Sequence, residues 1–560
     1  MGVEFHAVAP NLPDFFNSKL KTQNSTLSPP PIHPLLIHPF TMTDSFNHVT
    51  CPKCGYEENT TTAQKCEICG QPLKKSKSLA PVIAGVGAAI FLGALGFTGY
   101  NAFFRKDASQ PVPQATNPPV DANTNTGVDP TATTPTTTPG QPADVANALS
   151  WGDRILFTDA SNADMQAGAA AYASGDYATA AARFDAARKA VRNDPEALIY
   201  FNNAKLGSTP ALGIAAVVPI GDNPNTAREL LRGVAQAQDE AIKAGTPMKV
   251  LIANDRNDAG QAAAIANALV QDPNVVGVIG HGTSTTTLAA APVYQQGQLP
   301  MISPTSTTTE LATVPREGGN FVFRVIPSDQ FTGTTLARHM LTLGKTKPIV
   351  FYNSQSSYSK SLQDAFSTTL GLEGGQVAKL VDLSQGNPST ELQGSGADAI
   401  VLLPDSATFD AAIAVAQLNN GQLPVLAGDA FYRIDALEKG GASLTGTVVT
   451  VPWHPLKSTP PFAQTSSSLW GGDVNWRTAL SYDAFQALSS ARTVGNVAPG
   501  SGTSGRAAMG QALAAQGFSA NGSTGAISFL PSGDRNTTVL LVEVKPGSRS
   551  GTGFDFVPLP

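Results

Sequence analysis

The chain has 560 residues, of which 41% are hydrophobic and 14% charged, and a formal net charge of −6. That length exceeds one small domain and implies several modules. The acidic balance, with a pI near 5.7 and no evident basic face, excludes nucleic acid as a main partner.

Residues 1–41 lack periodicity and contain PPPIHPLLIHP, a proline-rich run suited to an extended, disordered segment. No apolar core follows a basic start, so no signal peptide is read there. Met42 precedes the first ordered-looking module, and the natural start is expected at that residue.

All four cysteines fall in the next module, 42–73, as Cys51-Pro-Lys-Cys54 and Cys66-Glu-Ile-Cys69, each pair followed by glycine. Two such knuckles place four thiolates tetrahedrally and predict a closed structural Zn2+ site. A redox pair is the alternative, but a lone redox CxxC would not be duplicated. The knuckles resemble the small zinc ribbons fused to many prokaryotic membrane proteins, which fold largely on their metal.

Lys74, Lys75 and Lys77 then precede Leu79 to Phe104, a run of 26 residues without a charged side chain. It is long enough to span a hydrocarbon core of about 30 Å as a transmembrane helix. Tyr100, Phe103 and Phe104, followed by Arg105 and Lys106, read as an interfacial anchor. Three basic residues before the span and two after it favour a cytoplasmic N-terminus, which also suits reduced zinc thiolates. Everything beyond the span is then extracytoplasmic. Residues 105–145 are rich in Pro, Thr and Asn and read as an extended linker.

The segment 146–208 contains a helical pattern from Gln166 to Lys205. Within it Gly168, Tyr172, Gly175-Asp176-Tyr177, Ala180, Phe184, Ala187 and Pro195 resemble one tetratricopeptide repeat. Because such solenoids need about three repeats, two readings stay open. One is a helical hairpin packed on the following domain, the other a docking or peptide-binding module.

From Ala211 to the C-terminus strands and helices alternate. Residues 214–220, 248–253, 275–280, 348–353, 397–403 and 423–428 are short, apolar, buried-type strands. Helical stretches at 226–244, 260–270, 288–296, 359–370 and 407–419 lie between them. This is an α/β pattern of parallel sheets with helices on both faces. Breaks near Pro327 and Val451 divide it into two lobes.

Within the first lobe, the strand at Val275–Ile279 ends in Gly280-His281-Gly282 and the hydroxyl cluster Thr283–Thr287. A short strand at Pro300–Ile302 ends in a second cluster, Ser303–Thr309. Ser and Thr are good N-caps, which alone accounts for one cluster. Two in consecutive βα units point to a ligand site at the carboxyl ends of the strands, where helix N-termini attract an anion.

The stretch GHGTSTTT…APVY…LPMISPTSTTTEL resembles the first-lobe signature of the leucine/isoleucine/valine-type periplasmic binding proteins. LSYDAFQAL and GAISFLPSGDRN resemble that family's returning helix and late strand–turn. The resemblance implies a two-lobed type I periplasmic-binding-protein fold over 211–560. It also implies a receptor for amino acids or similar small polar ligands, partnered by an ABC permease. Ser284, Thr305 and Thr307 match positions that bind the α-carboxylate and α-ammonium of an amino acid. Asp429 matches an acidic residue that pairs with the ammonium, and Tyr358 matches a cleft tyrosine of the second lobe. Asp405 stands where the family often has an aromatic, which opens the pocket to a more polar ligand. Asp429 as a helix N-cap and Asp405 as a cap remain alternatives.

No G-x-S-x-G, H-E-x-x-H or P-loop lysine motif occurs, and His281, His339 and His454 are widely spread. An enzyme is not expected, and His281 reads as structural. A transmembrane ligand sensor and a cell-envelope scaffold with a degenerate cleft are the alternatives to a transport receptor.

Overall fold

The computed structural model describes residues 48–49, 59–60 and 142–560, apart from 160 and 459. Strands β1 (His48–Val49) and β2 (Asn59–Thr60) pair antiparallel and bracket Cys51 and Cys54 in sequence. The cysteines themselves, residues 1–41, the predicted span 79–104 and most of the predicted linker lie outside the described residues. Among those that are described, no helix is long and apolar enough to cross a membrane.

The linker read at 105–145 ends sooner than its composition predicts. Helix α1 (Pro142–Asn147) and strand β3 (Leu149–Ser150) follow it, and Val145 and Ala148 are buried in an apolar cluster with Ile265 and Leu269. Three helices come next: α2 (Ala163–Ala173), α3 (Tyr177–Ala190) and α4 (Pro195–Leu206). Asn162, Asp176 and Asp194 cap their N-termini through side-chain oxygens. Phe184 and Tyr200 are fully buried with ring centroids 5.5 Å apart. The helices share one apolar core with the strands that follow, so the hairpin is packed on the following domain.

The first lobe is built on β4 (Leu212–Val218), α5 (Pro224–Lys243), β5 (Met248–Asn254), α6 (Ala259–Gln271), β6 (Val275–Ile279), α7 (Ser284–Gln296), β7 (Met301–Ser303) and β8 (Val322–Arg324). Its sheet has the order β3-β5-β4-β6-β7-β8, all parallel except β3. Beyond the two-residue β3, the outer edge of β5 is satisfied by one side chain. Asn203 accepts from the Val250 amide (3.0 Å) and donates to its carbonyl (2.7 Å), which closes an edge open to strand addition.

The second lobe contains α8 (Asp329–Thr342), β9 (Pro348–Tyr352), α9 (Ser357–Leu372), β10 (Lys379–Asp382), β11 (Ala399–Leu403), α10 (Phe409–Asn419), β12 (Val425–Ala427), α11 (Ile434–Gly440) and β13 (Val448–Val451). The chain then returns to the first lobe with α12 (Pro460–Trp470), α13 (Trp476–Val494), α14 (Gly502–Ala514) and the hairpin β14 (Ala520–Gly522)–β15 (Gly525–Ile527). Helix α13 lies directly on α5. A Cβ at Gly233 would sit 2.1 Å from the Thr478 carbonyl, so only glycine permits the approach. A third crossing, which the sequence pattern does not show, delivers β16 (Leu540–Pro546) and β17 (Phe554–Pro558) to the second lobe. They extend its sheet antiparallel, in the order β10-β9-β11-β12-β13-β16-β17.

Glu196 fastens the segment before α2 to α4. Its carboxyl is 1% exposed and accepts from the Leu156 amide (2.7 Å) and the Phe157 amide (3.4 Å). Burial raises it to about 8, against the pull of the Leu156 amide. We expect Glu196→Ala to orphan two buried amides and destabilise the domain by about 1–3 kcal/mol, while Glu196→Gln keeps an acceptor and most of the stability. Thermal melts of the two variants test this. Equal melting temperatures would show that the clasp contributes nothing.

Candidate functional site

In both lobes the carboxyl ends of the parallel strands open towards one cavity of about 510 Å³. Gly280, at the end of β6, has φ +146°, and a Cβ there would lie 2.6 Å from the Val217 carbonyl. Only glycine makes that turn. Beyond it His281 is wholly buried between Asp255 (2.8 Å) and the Tyr294 hydroxyl (3.1 Å), a structural position.

The hydroxyl cluster Thr283–Thr287 is not a loop, and α7 begins four residues before the expected Leu288. Thr283 caps the helix by accepting from the Thr286 amide, and its hydroxyl also donates to Asn257 (2.8 Å). The cap and tertiary packing override the modest helix propensity of three consecutive threonines. Ser284 therefore stands in the first turn, lining the cavity, with its hydroxyl making no hydrogen bond. The first-turn amides of a helix lack intrahelical partners and carry the positive end of its dipole.

Thr305 also lines the cavity, but its hydroxyl donates to the carbonyls of His281 (3.0 Å) and Gly282 (3.1 Å), bracing the preceding loop. Thr307 is 1% exposed and lies under the main cavity, in a void of about 10 Å³ that Asp429 also lines. Across the cleft, Asp429 opens the short turn after β12. Its side chain caps no helix and accepts instead from the Tyr358 hydroxyl at 2.9 Å. Burial holds the Asp429 carboxyl above its ordinary range, opposed by that hydrogen bond and by the charge of Arg477. Asp405 borders the cavity while acting as a local cap: it accepts from the Thr408 amide (3.1 Å), the Thr408 hydroxyl (2.9 Å) and Asn353 (2.9 Å). The cavity thus brings together Ser284, Thr305, Tyr358, Asp405 and Asp429, with Thr307 beneath it.

Asp329 escapes the sequence reading. After Ser328 it looks like an ordinary acidic residue in a first helical turn, yet it is wholly buried where the chain first crosses between lobes. Neither carboxyl oxygen makes a hydrogen bond of good geometry, although the Ser361 and Thr307 hydroxyls lie close. Burial raises its carboxyl to about 7, and the charge of Asp429 adds to the effect. Two buried acids thus interact where the lobes meet, Asp429 at the cavity and Asp329 behind it.

The folded chain holds the Asp329 proton more tightly than the unfolded chain, whose carboxyl titrates near the ordinary 3.8. The associated stability is complete below that value and is lost as pH rises through about 7. We expect the unliganded protein to lose on the order of 2–3 kcal/mol from this group between about pH 5 and about pH 8. Glu196 adds in the same direction. Asp329→Asn should flatten part of that slope and be the more stable form at the alkaline end. Denaturant titrations across this range check it, and an unchanged slope would show that Asp329 does not titrate there.

Residues 214–550, more than half of the chain, match the family model described as periplasmic binding protein. An amino acid binding protein of Pseudomonas aeruginosa is 26% identical over 189 residues, 32% of this chain and 50% of that protein. The Leu/Ile/Val-binding protein of Escherichia coli K12 is 29% identical over 149 residues, 27% of this chain and 39% of that one. The chain thus spans about half the length, or less, of the curated relatives it matches. The fold matches a leucine binding protein from Thermotoga maritima with a TM-score of 0.53 and 24% identity, covering 62% of this chain and 97% of that one. An ABC transporter substrate-binding protein from Sphaerobacter thermophilus gives a TM-score of 0.55 at 19% identity, over 62% and 97%. The chain belongs to the periplasmic binding protein family, a non-enzymatic solute-binding fold with two lobes about a cleft.

Proposed function

We propose that the protein is an extracytoplasmic solute receptor, tethered to the membrane, that takes an amino acid or a similar small zwitterion and delivers it to an ABC permease. The observation that carries this reading is the division of charge across one cavity. The first lobe offers the unbonded Ser284 hydroxyl at the start of α7, and the second offers the buried Asp429–Tyr358 pair. A carboxylate is held on one side and an ammonium on the other, so the ligand bridges the lobes and favours their closure. Charge-assisted hydrogen bonds of about 1.5–3 kcal/mol each make closure depend on the ligand. The names of relatives that bind leucine and other amino acids support the same ligand class.

The uncharged run Leu79–Phe104 supports a membrane anchor, with the N-terminus cytoplasmic. Cys51, Cys54, Cys66 and Cys69 form a set of four soft donors suited to one Zn2+, and the β1–β2 pair beside the first knuckle fits a ribbon. Metal analysis of the purified chain should find one zinc, lost in a Cys51→Ser, Cys66→Ser double variant. Metal-free native protein would remove the ribbon from this account.

The ligand reading is tested by thermal shift of the full chain in detergent against the free amino acids. A ligand at 100 times its Kd stabilises by about 2.7 kcal/mol. At least one amino acid should do so, and Asp429→Ala should abolish the shift. A chain that no amino acid stabilises would not be an amino acid receptor.

A further inference from the structure

Building on the receptor reading above, we propose that the ligand is an amino acid whose side chain ends in a carboxylate, held by Arg477 of the first lobe and Arg433 of the second. Both arginines line the cavity that contains Ser284 and Asp429. Arg477 stands in the first turn of α13 with its guanidinium 4.3 Å over the ring of Trp476. Arg433, just before α11, lies 4.3 Å over Phe409. Stacking fixes the plane of each guanidinium but leaves its in-plane N–H groups able to bond, the preorganised fork that suits a carboxylate.

Free bonding capacity decides which charges of the cavity read the ligand. Arg477 makes a single long contact, 3.5 Å, with Glu229, and its charge is felt by Asp429 across the cleft. Arg433 uses one nitrogen on Asp435. The acids at this end are already engaged. Asp405 accepts three hydrogen bonds from Thr408 and Asn353, and Asp222 at the exposed rim accepts from Asn257 (3.0 Å). A lysine-like side chain would meet two arginines. A leucine-like one would bury the two guanidiniums with only Glu229 and Asp435 to meet them, and leave their remaining donors unbonded. A side-chain carboxylate offers both guanidiniums an acceptor, and drawing one arginine from each lobe makes it a second bridge across the cleft.

The test is isothermal titration of the full chain in detergent with glutamate, aspartate, glutamine, leucine and lysine. Glutamate or aspartate should bind at least about tenfold more tightly than glutamine, which has the shape of glutamate without its charge. Arg477→Met should weaken the acidic ligand about 10- to 100-fold and glutamine by a much smaller factor, since only the shared effect on Asp429 is lost there. Arg433→Met provides a second, independent variant, and unliganded melts confirm that each variant is folded. If leucine or glutamine binds as tightly as glutamate and Arg477→Met has no effect, the acidic-ligand proposal is overturned while the amino acid receptor stands. If no amino acid binds, both fall together.

Discussion

Arg324 ends β8, the edge strand of the first-lobe sheet, and its guanidinium is buried among segments far apart in sequence. Its Nη1 donates to the carbonyls of Ser306 (3.2 Å) and Thr308 (2.7 Å), and its Nε pairs with Asp534. Its Nη2 is buried without a partner, so the bonds at Nε and Nη1 carry the compensation, and removing one member of such a buried group typically costs about 3–5 kcal/mol. The hydroxyl loop 303–308 is therefore held through its backbone, which leaves its side chains to face the cleft or brace it. The same residue ties that loop to the turn at 532–535, just before the third crossing. Arg316 adds a second tie, to the Ser532 carbonyl and to Val322.

A second buried pair repeats the device. Arg535 meets Asp483 of α13 at 2.7 Å, and Asp483 also accepts from the Ser523 amide. The late turn is thus locked to the first lobe before the chain leaves for β16. Between the lobes, the Asp329 amide donates to the Thr307 carbonyl (2.7 Å) and the Thr309 amide to the Ser361 hydroxyl (2.9 Å). These polar contacts sit beside the crossings, whereas each lobe is closed by apolar packing, helped in the first lobe by the buried Arg324, Arg506 and Arg535. Three crossings beside a cleft are the arrangement expected for hinge closure about a ligand.

The parallel strands were legible because burial on both faces writes them as continuous apolar runs, as at Val275–Ile279 and Ala399–Leu403. Their ends differed by only a residue or two. Strands β16 and β17 carry an apolar signal, LLVEVKP and FDFVP, but nothing local in those runs assigns them to the second lobe, whose sheet they join antiparallel. Strand β3, at two residues, is set by its partner β5 rather than by its own sequence. In the site, the hydroxyl clusters announced themselves by composition. Asp329, Arg433 and Arg477 did not, since each looks like an ordinary surface charge until tertiary structure brings it to the crossing or the cleft. Asp405 shows the limit of assigning one role per residue, because it borders the cavity and caps Thr408 together.

On the receptor reading proposed above, two buried acids bear on how the cleft would meet a ligand. Asp329 and Asp429 are both buried, both raised by that burial, and close enough for the charge of Asp429 to raise Asp329 further. The Tyr358 hydroxyl and the more distant arginines compensate them only in part. An ammonium placed between them would relieve desolvation and mutual repulsion in one step, so part of its binding energy is the removal of a strain already present. A neutral or anionic group in the same place would leave that strain standing. On the proposed reading, selectivity for a cationic centre would draw on the contact with Asp429 and on the cost of leaving two buried acids near one another.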